Sequence, residues 1–226
     1  MKNLFLSGLL FISALGYSQQ ENDSIRTPVE TLDEVLVSAI RVSADSPVTH
    51  SDLSKKELAK RNLGQDIPYL LNYLPSVVTT SDAGAGVGYT YIRVRGSDAS
   101  RVNVTLNGIP FNDSESQGSF WVNLPDFASS VQNLQLQRGV GTSTNGSGAF
   151  GASLNLLSEA VSEEAYGEIS NSIGSFGTRK HNVKLGTGLL QDHIEISGRL
   201  SNIVSDGYID RASSDLKSYF LQAAFI

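Results

Sequence analysis

The sequence predicts a small mixed α+β domain over residues 45–158, followed by longer antiparallel strands over 159–226. Three observations predict it. Between Tyr89 and Leu157, short alternating segments are joined by Gly- and Asn-rich turns. Among these turns, Asn107-Gly108 is a two-residue hairpin signal, because both residues accept positive φ. Ahead of them, Ser54-Lys55-Lys56-Glu57 has the spacing of a capping box and marks a helix start. After Ser158 the texture changes to alternating segments of about eight to twelve residues, the period of strands with one apolar face.

Composition narrows the class. A chain of 226 residues can bury a sizeable core. Its net charge of −6 argues against a nucleic-acid partner, which would need a basic patch. The absence of Cys excludes disulfides, Cys-based zinc sites and a thiol nucleophile. Residues 1–18 read as a secretory signal peptide. Lys2 and Asn3 precede the apolar run Leu4 to Leu15, and Gly16 and Ser18 sit at −3 and −1 of a cut before Gln19. About 12 apolar residues fall short of the roughly 20 that a spanning helix needs. No later segment reads as a membrane helix, so any later insertion must use strands.

The elements follow in order. Residues 19–44 form a polar tail expected to be disordered, with one extended segment at 31–39. A helix runs from about Lys55 to Asn62. Asp66 caps a second helix with Pro68 in its first turn; Tyr69, Leu70, Tyr73 and Leu74 form its apolar face, and Pro75 ends it. Gly84-Ala85-Gly86-Val87-Gly88 is not a nucleotide loop, because a strand and not a helix follows it. In that strand Thr90, Ile92 and Val94 share one face, and Tyr91, Arg93 and Arg95 the other. Strand 101–106 enters the hairpin, and Pro110 beyond it suits an edge. Leu124-Pro125-Asp126 starts a short helix through Ser130. Strands at 133–137 and 153–157 complete the domain. The later strands are expected at 166–173, 179–187, 193–204 and 217–226. Taken alone, they suit either an outer-membrane barrel or a soluble meander.

A resemblance decides between the two. Arg95-Gly96, Asn107-Gly108, Arg138-Gly139 and the Gly-rich tract 139–151 occur in the order of the plug domain of TonB-dependent outer-membrane receptors. Asp66 to Val77 also resembles that family's helix, with Ser76 where Gly is usual. The resemblance covers about residues 31–226. It implies an α+β plug domain at 45–158, a small mixed sheet with short helices. The antiparallel strands of a truncated transmembrane β-barrel follow at 159–226. Such barrels need at least about eight strands to close. An open sheet in lipid leaves unpaired edges. The chain is therefore expected to be an N-terminal fragment.

The resemblance further implies energy-coupled uptake of a scarce ligand, an iron–siderophore, cobalamin or similar, at the outer membrane of a Gram-negative bacterium. Its implied partners are TonB, an extracellular small-molecule ligand and outer-membrane lipid around the barrel. The segment 31–39 resembles the TonB box. There Thr31, Leu32, Asp33, Glu34, Val35, Leu36 and Val37 would add a strand to the edge of TonB. Arg95 and Arg138 would lock the plug to carboxylates of the barrel wall, since Arg holds a carboxylate bidentately. The loops Ser81 to Gly88 and Phe111 to Trp121 would face the ligand through Asn112, Ser114, Gln117, Phe120 and Trp121. A core position suits Trp121 equally well.

Catalytic chemistry has no foothold. His50, His181 and His193 lack ligand spacing, and Asn112-Asp113-Ser114-Glu115 lacks the spacing of an EF-hand. No metal, cofactor or enzyme activity is expected. The alternatives are a stand-alone periplasmic binding module and a non-functional remnant. A soluble product would favour the first, and absence of protein the second.

Overall fold

The computed structural model describes residues 41–43, 45–142 and 150–226, all within one compact unit spanning Glu34–Ile226. The leader and the segment 31–39 lie outside the described residues.

Strand β1 (His50–Ser54) runs into helix α1 (Lys55–Arg61). The capping box forms: Ser54 N–H donates to Glu57 Oε2 at 2.8 Å, and Glu57 N–H donates to Ser54 Oγ at 3.4 Å. Helix α2 is only Ile67–Leu70. Asp66 precedes it without a side-chain cap, which corrects the expected role. The buried face is Ile67, Leu70 and Leu71, while Tyr73 turns outward beneath the Arg61 guanidinium, 3.5 Å from its ring. The helix is too short for the i, i+3, i+4 pattern to reach Tyr73.

Strands β2 (Val77–Ser81) and β3 (Thr90–Val94) form a separate hairpin. The main sheet has the order β1-β6-β7-β4-β5, with β4 (Val102–Leu106), β5 (Ile109–Pro110), β6 (Val131–Arg138) and β7 (Ala152–Ser158). Pro110 lies in edge strand β5, where a missing N–H interrupts no ladder. Strand β7 pairs parallel to β4 and antiparallel to β6, so the sheet is mixed. Leu53, Val104, Leu134, Leu136, Leu154 and Leu156 face one apolar core. The opposite face is polar yet also buried, through Thr105, Gln135, Gln137, Ser153 and Asn155. There Thr105 Oγ1 donates to Asn155 Oδ1 at 2.7 Å. The helix expected from Leu124 through Ser130 is a single 3-10 turn, Phe127–Ser130, and another 3-10 turn, Trp121–Asn123, precedes it.

Strands β8 (Tyr166–Ile173), β9 (Arg179–Gly186), β10 (Ile194–Ser205) and β11 (Ser214–Phe225) form an antiparallel meander in chain order. Its polarity is inverted relative to a soluble protein. Lys180, Asn182, Lys184, Arg199 and Ser201 point at the plug and are buried. Ile169, Leu185, Leu200, Tyr219, Leu221 and Phe225 point outward and are exposed. Apolar outside and polar inside is the pattern of a membrane barrel wall. No helix among the described residues is long and apolar enough to cross a membrane.

Candidate functional site

The interface between plug and wall centres on Asp126. Pro125 precedes it, and Asp126 takes a left-handed conformation (φ 53°) that starts the Phe127–Ser130 turn. Asp and Asn tolerate that region better than most residues. The turn aims the carboxylate at the inward face of β9 and β10. Oδ1 lies 2.7 Å from Lys180 Nζ, and accepts from Ser129 Oγ at 2.7 Å and Asn62 Nδ2 at 3.1 Å. Oδ2 accepts from Asn182 Nδ2 and Ser201 Oγ, both at 2.6 Å. Arg199 Nη1 lies 3.2 Å from Oδ2 without hydrogen-bond alignment, while its Nε donates to Ser130 Oγ at 2.8 Å.

Burial alone would raise the Asp126 carboxyl. The Lys180 charge and hydrogen bonds from Lys180, Ser129 and Ser201 outweigh it and hold the group below the usual carboxylate range. A second plug-side carboxylate, Glu159, joins the same surface. It pairs with Lys55 at 2.6 Å and with Lys184 of β9. Gln222 of β11 donates to the Glu159 carbonyl at 2.9 Å, and Ser218 donates to that of Pro125 at 2.9 Å. The rings of Phe127 and Phe220 meet edge to face at 5.7 Å.

Arg95 and Arg138 lie apart from the Asp126 cluster. Arg138 donates to Ser51 Oγ at 2.8 Å and to the His50 carbonyl at 3.3 Å. Arg95 sits at the end of β3 with φ 52°, its Nη1 over Gly139, where a Cβ would come within 2.9 Å. Partial burial, and then the Arg95 charge, lower the Arg138 pKa. Neither guanidinium group forms an ion pair with a carboxylate among the described residues. The ion pairs that cross from the plug to these four strands have the opposite sense, with plug carboxylates on wall cations.

The two loops differ in character. In 111–121, Asn112 is a staple: it accepts from Val104 N–H at 2.7 Å and donates to the carbonyls of Val102 and Gln117 at 2.9 and 2.8 Å. Ser114, Gln117 and Phe120 are exposed, with Gln117 Nε2 donating to the Ser114 carbonyl at 2.9 Å. Trp121 is 2 % exposed and belongs to the core, so its ligand-facing assignment is corrected. Its 3-10 turn directs the ring inward, where the largest apolar side chain gains most from burial. The loop at 81–88 is clamped. Its Ala83 carbonyl accepts from Tyr208 N–H at 2.8 Å, and Tyr208 packs edge to face on Phe176 at 5.4 Å. Behind it, Asp66 is buried and accepts from Thr90 Oγ1 at 2.9 Å, with its other oxygen unpartnered. Burial pushes the Asp66 carboxyl up to about 7.

One contact lies just beyond the segment 31–39. The buried Gln135 amide pairs with the Val42 backbone in both directions, accepting its N–H and donating to its carbonyl, each at 2.9 Å. Arg41 beside it pairs with Asp52 at 3.1 Å. Sequence reading missed both this strap and the Asp126 cluster. The available signal was a polar face on strands that are apolar on the other side.

Comparisons with known proteins agree with this architecture. Residues 42–153 match the family model described as TonB-dependent Receptor Plug Domain. A curated relative, the probable TonB-dependent siderophore receptor PirA of Acinetobacter baumannii, is 23% identical over 171 residues, 70% of this chain and 22% of its own length. The vitamin B12 transporter BtuB of Vibrio cholerae is 24% identical over 176 residues, 74% of this chain and 28% of its own. The solved structure of the ferric yersiniabactin uptake receptor FyuA of Yersinia pestis superposes with a TM-score of 0.57 at 18% identity, over 78% of this chain and 28% of that one. The chain thus spans about a quarter of the length of the curated relatives it matches.

Proposed function

Because this chain carries the plug domain of the TonB-dependent receptors, we propose that it supplies the plug and leading barrel strands of an outer-membrane receptor. Its activity would be energy-coupled uptake of a scarce ligand, an iron–siderophore, cobalamin or similar. The observation that carries the reading is the Asp126 cluster, a plug carboxylate sealed against cations on the inner face of strands whose outer face is apolar. Relatives named for siderophores and vitamin B12 support the ligand class. A stand-alone periplasmic module would leave the outward apolar face of β8–β11 in water.

In this reading the segment 31–39 adds a strand to TonB, and main-chain bonds share the pulling load. Arg41 and Val42 anchor that tail on the plug, Arg41 at Asp52 of β1 and Val42 at Gln135 of β6, so force on the tail would arrive at these two paired strands. Arg95 and Arg138 would meet wall carboxylates beyond the four strands. Ser114, Gln117 and Phe120 would face the ligand. Val35→Pro tests the coupling, since it removes a backbone donor. Uptake should be abolished with ligand binding intact; surviving uptake would sink the assignment of the box.

A further inference from the structure

The loop that joins β2 to β3 closes over the buried Asp66 carboxyl. Asp82 N–H donates to the Tyr89 carbonyl at 3.0 Å and closes the base of this loop. Beyond that base, neutral contacts hold residues 83–88 down. Asp66 N–H donates to the Gly86 carbonyl at 2.9 Å, and Gln65 Nε2 to that of Ala85 at 3.4 Å. On the other side the Ala83 carbonyl accepts from Tyr208 N–H, in the connection between β10 and β11. Gly84 and Gly88 approach the wall closely, at φ +73° and +94°. A Cβ there would fall 2.9 Å from Tyr208 Cβ and 3.1 Å from Ser214 Oγ. The loop thus bridges the backbone of Asp66 and the outer end of two wall strands.

We propose that residues 83–88 are a proton-controlled latch, shut over a neutral Asp66 and lifted when Asp66 ionises. Asp66 is 3 % exposed, and one of its oxygens is partnered by Thr90 Oγ1 at 2.9 Å while the other has no partner. A neutral carboxyl tolerates such a site, whereas a carboxylate leaves a buried charge uncompensated. The cations on the surrounding elements are engaged elsewhere or face away. Arg61 lies over the Tyr73 ring, Lys180 is paired with Asp126, and Arg211 is exposed. Tyr91 and Arg93 stand on the opposite face of β3 from Thr90. The remaining titratable neighbours are no closer partners. Asp82 accepts from the Tyr91 hydroxyl at 3.3 Å, Asp206 lies against Gly177, and the Tyr69 ring lies against Gly86. Tyr89 and Asp210 are exposed. Burial is the largest influence on the carboxyl, opposed by Thr90 and the Gly88 backbone, and leaves it at about 7. Lifting the loop lets water reach the unpartnered oxygen. It also exposes Val87, which is fully buried, but one such side chain weighs less than an unmet charge. In the receptor reading this loop faces the ligand, so opening it would reshape the binding surface; only that consequence rests on the reading.

The test is hydrogen exchange of the full chain from about pH 5 to about pH 9, read by mass spectrometry and corrected for the intrinsic effect of pH. Peptides over 83–88 should exchange about tenfold faster above the transition than below it, while peptides over β6 keep one corrected rate. The midpoint should fall at about 7. Asp66→Asn stays neutral and should hold the slow rate at every pH. Thr90→Val removes the hydroxyl that favours the carboxylate, so the midpoint should move to higher pH. A flat profile over 83–88 in the unaltered protein overturns the latch. So does an acceleration that persists in Asp66→Asn, or a midpoint that does not rise in Thr90→Val. Equal acceleration over β6 would mean that the whole plug opens, and overturns it too. Every arm is read without ligand or uptake, so a failure of the receptor reading leaves the test in force.

Discussion

Lys180 Nζ lies 2.7 Å from Asp126 Oδ1, and both side chains are almost wholly removed from water. The pair joins a plug turn to a wall strand. Removing one partner of a buried pair strands the other charge, at a cost of about 3–5 kcal/mol. Asp126→Asn strands both Lys180 and Arg199. Urea unfolding followed by the fluorescence of Trp121, the single Trp of the chain and a core residue, should show a loss of that size. A double-mutant cycle with Lys180→Met should give a paired loss smaller than the sum of the single losses. Additivity would show that the two groups do not interact.

Asp66 and Asp126 should make stability respond to pH in opposite senses. The Asp126 carboxyl lies below its ordinary value, so its contribution is present above about pH 4 and is lost as pH falls through the folded value. The Asp66 carboxyl is raised to about 7, so its contribution is complete below about pH 4 and is lost as pH rises toward 7. Stability measured from pH 4 to 8 should therefore decline in the unaltered protein. Asp66→Asn should flatten that decline and stabilise the protein at pH 8 by up to about 4 kcal/mol. A decline that persists in the variant would assign it to another group.

The Gln135–Val42 strap should be separable from the fold. Gln135→Leu preserves bulk but leaves the Val42 N–H and carbonyl unpaired, at a cost of about 2 kcal/mol. Hydrogen exchange at Val42 should accelerate, and trypsin should cut at Arg41 faster, while the capping box at Ser54 stays protected. Unchanged exchange at Val42 would mean that the strap does not hold the tail.

Gly86 has φ +79°, and a Cβ there would fall 2.6 Å from the Tyr69 ring. Gly86→Ala combines left-handed strain with a clash and should cost about 2 kcal/mol. Tyr69→Ala in the same chain should recover the clash portion only. Complete recovery would show that backbone strain is negligible at this position.

Arg95→Ala or Arg138→Ala should loosen the plug in the receptor and admit large antibiotics that the intact protein excludes. Susceptibility equal to that of the unaltered protein would count against a locking role for these arginines.

Local rules were legible where local physics decides. The capping box at Ser54 and Glu57 involves residues three apart, and it formed as expected. Alternation located β8 to β11 within a few residues, because successive side chains of a strand point to opposite faces and these faces differ in polarity. Asp66 shows where such rules stop. Its spacing before Pro68 suggests a cap, but packing against Thr90 and the 86–88 backbone directs the carboxyl into the interior. Trp121 is a similar case, since a polar loop around it does not reveal which way a 3-10 turn points the ring.

The residues alone carried the helix start after Ser54, the strands from Thr90 onward and the four long alternating strands after Ser158, while β1 and β2 emerged only in the fold, through pairing with β6 and β3. Which polar groups meet is likewise a matter of tertiary structure. Asp126 finds Lys180, Asn182, Arg199 and Ser201 more than fifty positions away along the chain. Periodicity places a side chain on a face but carries no information about the surface that the face is packed against. Desolvation then makes those non-local partners count, because a buried charge is tolerated only where opposite charge and hydrogen bonds meet it.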